Sequence, residues 1–244
     1  MFSFKQFTVQ QDKSAMKIGT DGVLLGAWTP IENNPFSILD IGTGTGIIAL
    51  MLAQRSSATQ IDALEIDENA FEQAVDNFEN SPWSDRLFCF HAALDEFVEK
   101  PEDDPSVSEL AQQYDLIISN PPFYTEDYKS STEQRDLARF QDAMPFEDLI
   151  EAAALLLSEN GIFSVIIPFK EESTFLALAK EYDLHPLKIT RVKGTPTAAI
   201  KRSLLAFSRK VNLDFPIDEL IIETARHIYT PKYIELTRDF YLKM

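Results

Sequence analysis

Short apolar runs alternate with amphipathic stretches through most of this chain. Ile38-Leu39-Asp40-Ile41, Gln60–Glu65, Leu87–His91, Tyr114–Ser119 and Ile162–Ile167 are short, rich in branched or aromatic residues, and bounded by polar or turn residues, which predicts buried strands. Between them Ile47–Gln54, Glu68–Asn80, Phe146–Ser158 and Glu171–Tyr182 carry apolar residues at helical spacing. On Glu68–Asn80 the face is Phe71, Ala74, Val75 and Phe78, and Glu159-Asn160-Gly161 reads as the stop after Phe146–Ser158. Leu184–Val192 and Ser203–Ser208 add two strands joined by 193–202. Strand and helix in alternation predict an α/β fold, a mostly parallel sheet covered by helices on both faces.

The first 35 residues stand apart from that rhythm. Phe2, Phe4, Phe7 and Val9 suggest a short strand or an aromatic arm, and Val23–Trp28 a helix capped by Thr20 or Asp21. Residues 1–35 are therefore an N-terminal extension, expected to pack on the cofactor site, and 36–244 the main domain. Lys17, Thr20 and Asp21 either cap and dress that helix or touch a bound ligand.

Composition narrows the function classes. The 45% hydrophobic and 25% charged balance is that of an ordinary globular chain. No stretch reaches the roughly 18 uncharged apolar residues of a membrane span, and the N-terminus has no signal-like h-region, so a cytoplasmic protein is expected. One cysteine, Cys89, and three scattered histidines leave no zinc site in prospect. The net charge of −17 disfavours a generally nucleic-acid-binding surface, yet between Leu184 and Leu213 seven of the 22 basic residues occur with no acid. Lys188, Arg191, Lys193, Lys201 and Arg202 lie there. That stretch is either a solvated strand pair or a local phosphate-binding face.

Two motifs carry chemistry. Asp40-Ile41-Gly42-Thr43-Gly44-Thr45-Gly46 is an acid at a strand end followed by G-x-G-x-G, unlike the G-x-G-x-x-G of dinucleotide folds. The glycines let backbone approach a ligand, and the Asp40 carboxylate suits a cationic one, which points to S-adenosylmethionine. Glu65, about 20 residues on at the next strand end, is placed for ribose hydroxyls. Ala92-Ala93 could flank an adenine. The second motif, Asn120-Pro121-Pro122-Phe123, follows the strand Tyr114–Ser119. Prolines cannot continue a ladder, so this is a rigid loop at a strand's C-terminal end. The Asn120 side-chain oxygen and the Pro121 carbonyl can accept both N–H groups of a conjugated amine, directing its lone pair at a methyl donor while Phe123 stacks on the ring. The charged stretch 124–140 reads as a flap beside the site.

These two motifs resemble those of Rossmann-like, S-adenosylmethionine-dependent N-methyltransferases. Phe4-Lys5-Gln6-Phe7, Met16–Trp28 and the ending Tyr233–Lys243 are similar, more narrowly, to a bacterial family that N6-methylates adenosine 37 of a valine tRNA. The resemblance spans nearly the whole chain. It implies a seven-stranded sheet with one antiparallel strand, S-adenosylmethionine as cofactor and tRNA as partner, with no obligate protein partner evident. Asp40, Gly42, Gly44 and Gly46 would hold the methionyl end, Glu65 the ribose, and Asn120 to Phe123 the target adenine. Ala93 stands where many relatives have an acid contacting the cofactor adenine; Asp95 or the backbone would then serve. Rival readings are methylation of a release-factor glutamine, whose enzymes carry an extra N-terminal helical domain, and of DNA adenine, for which no target-recognition domain is evident. A non-catalytic nucleotide-binding module is disfavoured by the intact Asn-Pro-Pro-Phe loop.

Overall fold

The computed structural model describes residues 1–14, 16–98, 113–122 and 144–244. In chain order these form β1 (Phe2–Ser3), β2 (Thr8–Val9), α1 (Thr20–Trp28), β3 (Ser37–Ile41), α2 (Ile47–Arg55), β4 (Gln60–Glu65) and α3 (Glu68–Glu79). Then come β5 (Leu87–His91), α4 (Leu94–Val98), β6 (Tyr114–Ser119), α5 (Phe146–Leu156), β7 (Leu157–Pro168) and α6 (Glu172–Glu181). The chain closes with β8 (His185–Lys193), β9 (Ile200–Ser208), β10 (Ile217–Ile221), β11 (Glu223–Ala225), β12 (Ile228–Tyr229) and α7 (Pro231–Thr237).

One sheet organises the molecule, in the order β10-β8-β9-β7-β6-β3-β4-β5. Only β9 runs against its neighbours, pairing antiparallel with both β7 and β8, while every other pair is parallel. The C-terminal ends of seven strands therefore share one edge. The chain builds outward from β3 in both directions, with β4 on one side and β6 on the other, so the switch point lies between β3 and β6. In open α/β sheets a crevice forms there.

The sheet has one strand more than the expected seven. β10 extends the edge beyond β8, with Leu220 level with Val192. Its sequence, Asp218-Glu219-Leu220-Ile221, shows little periodicity because an edge strand buries only part of its length; Leu220 is its one buried residue.

Alternate residues of the central strands feed two cores. Ile38, Ile61, Leu116 and Ile118 pack with α1, α2 and the aromatic side chains of both termini. Leu39, Ile41, Leu64 and Ile117 pack with α5 and α6. A strand buried on both faces needs apolar residues throughout, which is why these runs do not alternate.

Several element ends differ from what the local sequence signals predict. Gly19, not Thr20 or Asp21, is the N-cap of α1, and no side chain caps it; Asp21 sits in the first turn. Asp67 caps α3, accepting from Ala70 N at 2.8 Å. Glu159-Asn160-Gly161 does interrupt the chain after α5, but as a bulge inside β7: Tyr114 faces Leu157 and Leu116 faces Ile162, so the residues between them loop out. On α3 the buried face is Ala70, Gln73, Ala74, Asn77 and Phe78, turned from the expected one by two polar residues that have partners.

Candidate active site

The glycine turn is held against the end of β4. Gly42 N and Thr43 N both donate to Leu64 O, at 3.0 and 2.9 Å. Gly42, Gly44 and Gly46 all have positive φ, at 71°, 59° and 79°. The left-handed backbone explains why glycine is used three times. Space separates their roles further. A Cβ on Gly46 would come within 2.5 Å of the Phe78 ring, so this glycine lets α3 close on the turn; beside Gly42 and Gly44 there is nothing within 4 Å. Those two present open backbone at the sheet edge.

Asp40 lies beneath this turn and is fully buried. Its Oδ2 accepts from the Thr43 hydroxyl at 2.6 Å and from Ala49 N at 3.2 Å, in the first turns of α2. Its Oδ1 is buried with no hydrogen-bond partner among the described residues. Burial pushes the Asp40 carboxyl up to about 7, against the two hydrogen bonds that favour the anion, and the nearby Glu65 charge adds to the rise. A buried carboxylate oxygen with an unmet acceptor suits an incoming cationic donor.

Glu65 reaches across the same turn. Its Oε2 accepts from Gly44 N at 2.8 Å and its Oε1 from Asp67 N at 2.9 Å. Asp40, the glycines and Glu65 are thus one cluster, as their order in the sequence implied. The orphaned Asp40 Oδ1, the open backbone at Gly42 and Gly44, and the carboxylate of Glu65 fit the methionyl and ribose ends of S-adenosylmethionine.

Asn120 enters from the other side of the switch point. β3 and β6 pair with Ile41 opposite Ser119, so Gly42 and Asn120 each leave the sheet one residue later, side by side. The Ser119 hydroxyl ties the two strand ends by donating to Ile41 O at 2.9 Å. Asn120 is half-buried, Pro121 buried and Pro122 exposed. Phe123 and the 124–140 stretch lie outside the described residues.

The remaining candidates fall as follows. Ala93 follows β5; its N–H donates to Glu96 Oε2 at 3.1 Å, while Ala92 N donates to the backbone carbonyl of Glu65 at 3.2 Å, which places this pair next to Glu65 at the end of β4. The Asp95 carboxylate is exposed and accepts from Glu96 N at 3.0 Å. Thr20 opens α1, exposed, and a Cβ on the nearby Gly22 would touch Ile47, so this helix end abuts the start of α2. The Lys17 ammonium donates to the carbonyls of Gln11 and Ser14, the latter at 3.1 Å, and fastens its own loop. His91 Nε2 is 3.0 Å from Ile66 O and its ring stacks on Phe71, as a strand-end residue would. Cys89 is half-buried, and burial pushes its thiol up to about 12.

The basic stretch is largely engaged within the protein. Arg191 pairs with Glu172 at 2.7 Å, Lys193 with Glu219 at 2.7 Å, and Arg202 with Asp21 at 2.7 Å. Lys188 Nζ sits 4.9 Å from the centroid of the Trp28 ring, and Arg209 donates to carbonyls at the end of α5. Lys201 is exposed. The acids that complete these pairs, Glu172, Glu219 and Asp21, all lie outside the stretch, which is why it reads as unbalanced.

Two residues the site depends on escaped the sequence reading. Thr43 occupies a variable position of G-x-G-x-G, yet its hydroxyl is the closest partner of Asp40. Asn77 donates through Nδ2 to Gln10 O at 2.9 Å and Thr45 O at 2.8 Å, and accepts from Gln10 N at 2.7 Å. It staples the N-terminal segment to the glycine turn. An amide at an otherwise apolar position of α3 was its one available signal. Among the described residues no group of acids, histidines or cysteine could hold a metal, and no helix is long and apolar enough to cross a membrane.

Comparison with known proteins agrees with this geometry. Residues 23–182 match the methyltransferase small domain family. A relative in Flavobacterium johnsoniae, named tRNA1(Val) (adenine(37)-N6)-methyltransferase, is 72% identical over the full length of both chains. One of the same name in Flavobacterium psychrophilum is 73% identical, again over the full length of both. Among solved structures, a protein from Agrobacterium tumefaciens described as a predicted O-methyltransferase superposes with a TM-score of 0.67 at 20% identity, over 90% of this chain and 96% of the other. That likeness is one of fold.

Proposed function

The chain belongs to the tRNA1(Val) (adenine(37)-N6)-methyltransferase family, and from that premise we propose that it methylates N6 of adenosine 37 in a valine tRNA. The observation that carries this is the meeting of two half-sites at the β3/β6 switch point. The glycine turn with its buried Asp40 lies on one side, and Asn120-Pro121-Pro122 leaves the sheet one residue past the Ile41–Ser119 pair on the other.

S-adenosylmethionine supplies an electrophilic methyl group carried on a sulfonium. Asp40 Oδ1 would hold the methionyl ammonium, and the Glu65 carboxylate would hold the ribose hydroxyls. Ala92 and Ala93 leave room for the adenine of the cofactor. The Asn120 side-chain oxygen and the Pro121 carbonyl accept the two N–H groups of the target amine, and Phe123 is assigned the stacking role from its place in the motif. Two acceptors on one nitrogen withdraw its lone pair from conjugation and meet the positive charge that develops as it attacks. The methylated nitrogen is acidic and loses its proton to water, so no strong base is required. A base in the anticodon loop must leave its stack to reach this site. With a tRNA as substrate, the reading includes a cytoplasmic site of action.

Asn120→Ala tests the reading. Methyl transfer to tRNA should fall by about a hundredfold to a thousandfold, the scale of a lost oxyanion-type partner. S-adenosylmethionine affinity, measured by calorimetry, should stay within a few fold, and an active variant would sink the proposed chemistry.

A further inference from the structure

The end of β7 carries side chains that neither the core nor methyl transfer explains. Val165 of β7 is level with Ser119 of β6, so β7 leaves the sheet at Pro168 on the same edge as the Asn120 loop and one strand away. The next residue, Phe169, opens a short 3-10 turn before α6. Among the described residues its ring is half-buried and belongs to neither apolar core. A single half-buried aromatic at a rim is ordinary in itself, so what it can do is decided by the groups held against it.

Here that group is Arg191. The Arg191 guanidinium carbon is 5.5 Å from the Phe169 centroid. That guanidinium is fixed: Nη2 and Nε donate to Glu172 Oε1 at 2.7 and 3.2 Å. Glu172 is only 5% exposed and also accepts the Ser203 hydroxyl. A desolvated carboxylate whose acceptors are filled by a bidentate arginine is a rigid mount. It holds a planar cation against an aromatic ring, at the edge of the sheet where the target base arrives. Aromatic faces backed by arginine are how proteins take unstacked nucleobases.

We propose that Phe169, backed by Arg191, is a stacking ledge for the nucleobase beside the target adenosine. The inference rests on the tRNA reading above. Phe169 lies four residues beyond Val165, whereas Asn120 lies one beyond Ser119. The ring is therefore offset along the strand direction by on the order of 10 Å, at about 3.3 Å per residue, plus one strand spacing of about 4.8 Å. That offset is too large for the ring to sandwich the target itself and suits the adjacent nucleotide of an opened loop. The RNA is then gripped at two bases, one at Asn120 and one on the ledge, which selects for an unpaired loop over a continuous duplex.

The test measures methylation of an anticodon stem-loop RNA by wild type, Phe169→Ala and Phe169→Trp. Phe169→Ala should raise KM for RNA roughly tenfold or more, the scale of one lost base stack, with S-adenosylmethionine affinity and melting temperature unchanged. Phe169→Trp should restore KM to within about threefold of wild type. An RNA abasic at the nucleotide flanking the target should cost wild type the same factor and Phe169→Ala nothing more. A wild-type KM in Phe169→Ala refutes the ledge alone. Failure of Phe169→Trp to restore KM, or an abasic penalty undiminished in Phe169→Ala, also refutes it. Absence of any transfer to tRNA by wild type refutes the function reading, and the ledge with it.

Discussion

Asp40 is a fully buried carboxyl group beneath the glycine turn, and that burial governs its electrostatics. Because burial raises its pKa to about 7, the folded protein binds a proton there that the unfolded chain, with its ordinary value of 3.8, would release. The unfolded state thus holds fewer protons between about pH 4 and pH 7, so this group's contribution lowers stability as pH rises through that window and is constant above it. Asp40→Asn should flatten that part of the stability profile in urea titrations. A cationic ligand needs the ionised form, so S-adenosylmethionine affinity should increase from about pH 6 to pH 7 and binding should release a proton. Calorimetry in buffers of different ionisation enthalpy reads that proton directly, and a proton count near zero at about pH 6 would contradict the role given to Asp40. Residues of this kind were legible in the sequence because the motif is local: acid, glycines and second acid sit within one β-α-β stretch. Thr43 was not, since a threonine at a variable position says nothing until the turn brings its hydroxyl to 2.6 Å from Asp40.

Elements decide how firmly that turn is held. Asn77 on α3 bonds to Thr45 O in the turn and to both backbone groups of Gln10, across 32 and 67 residues of sequence. Asn77→Ala leaves these backbone groups unpaired, which costs about 1–3 kcal/mol for a buried group. The expected result is a lower melting temperature together with weaker S-adenosylmethionine binding; a change in stability alone would mean that the N-terminal segment does not bear on the cofactor site. Gly46→Ala should be worse, because the left-handed φ and the Phe78 ring both oppose a Cβ. Strands such as Ser37–Ile41 were readable because burial on both faces puts apolar residues on either side, Ile38 on one and Leu39 and Ile41 on the other. β10 was not, because it lies at the edge and carries Asp218 and Glu219. The start of α1 was misjudged for a related reason: Asp21 looks like a cap, but Arg202 of β9 claims its carboxylate at 2.7 Å.

Across the whole molecule, a net charge of −17 must meet a polyanion. The basic stretch between Leu184 and Leu213 is the natural place, but its arginines are mostly paired with acids that the sequence pattern could not reveal. Lys201 is exposed on β9, which makes it a cleaner probe than Arg202, whose reversal would also break the Asp21 pair. Lys201→Glu should weaken RNA binding and lower the slope of log K against log salt by about one, with melting temperature unchanged. An unchanged slope would place the phosphate contacts elsewhere on the surface. The fold class and the acidic total were readable from the chain, whereas the distribution of charge depends on which strands become neighbours.

The claim that ties these scales together is that the two half-sites meet to methylate an adenine of tRNA. Its most direct test is incubation with labelled S-adenosylmethionine and total tRNA from a strain lacking the enzyme, followed by nucleoside mapping. The label should appear as N6-methyladenosine at position 37 of a valine tRNA, and should be absent with Asn120→Ala. Label at another atom or position, label in protein or DNA instead, or none at all, would contradict it.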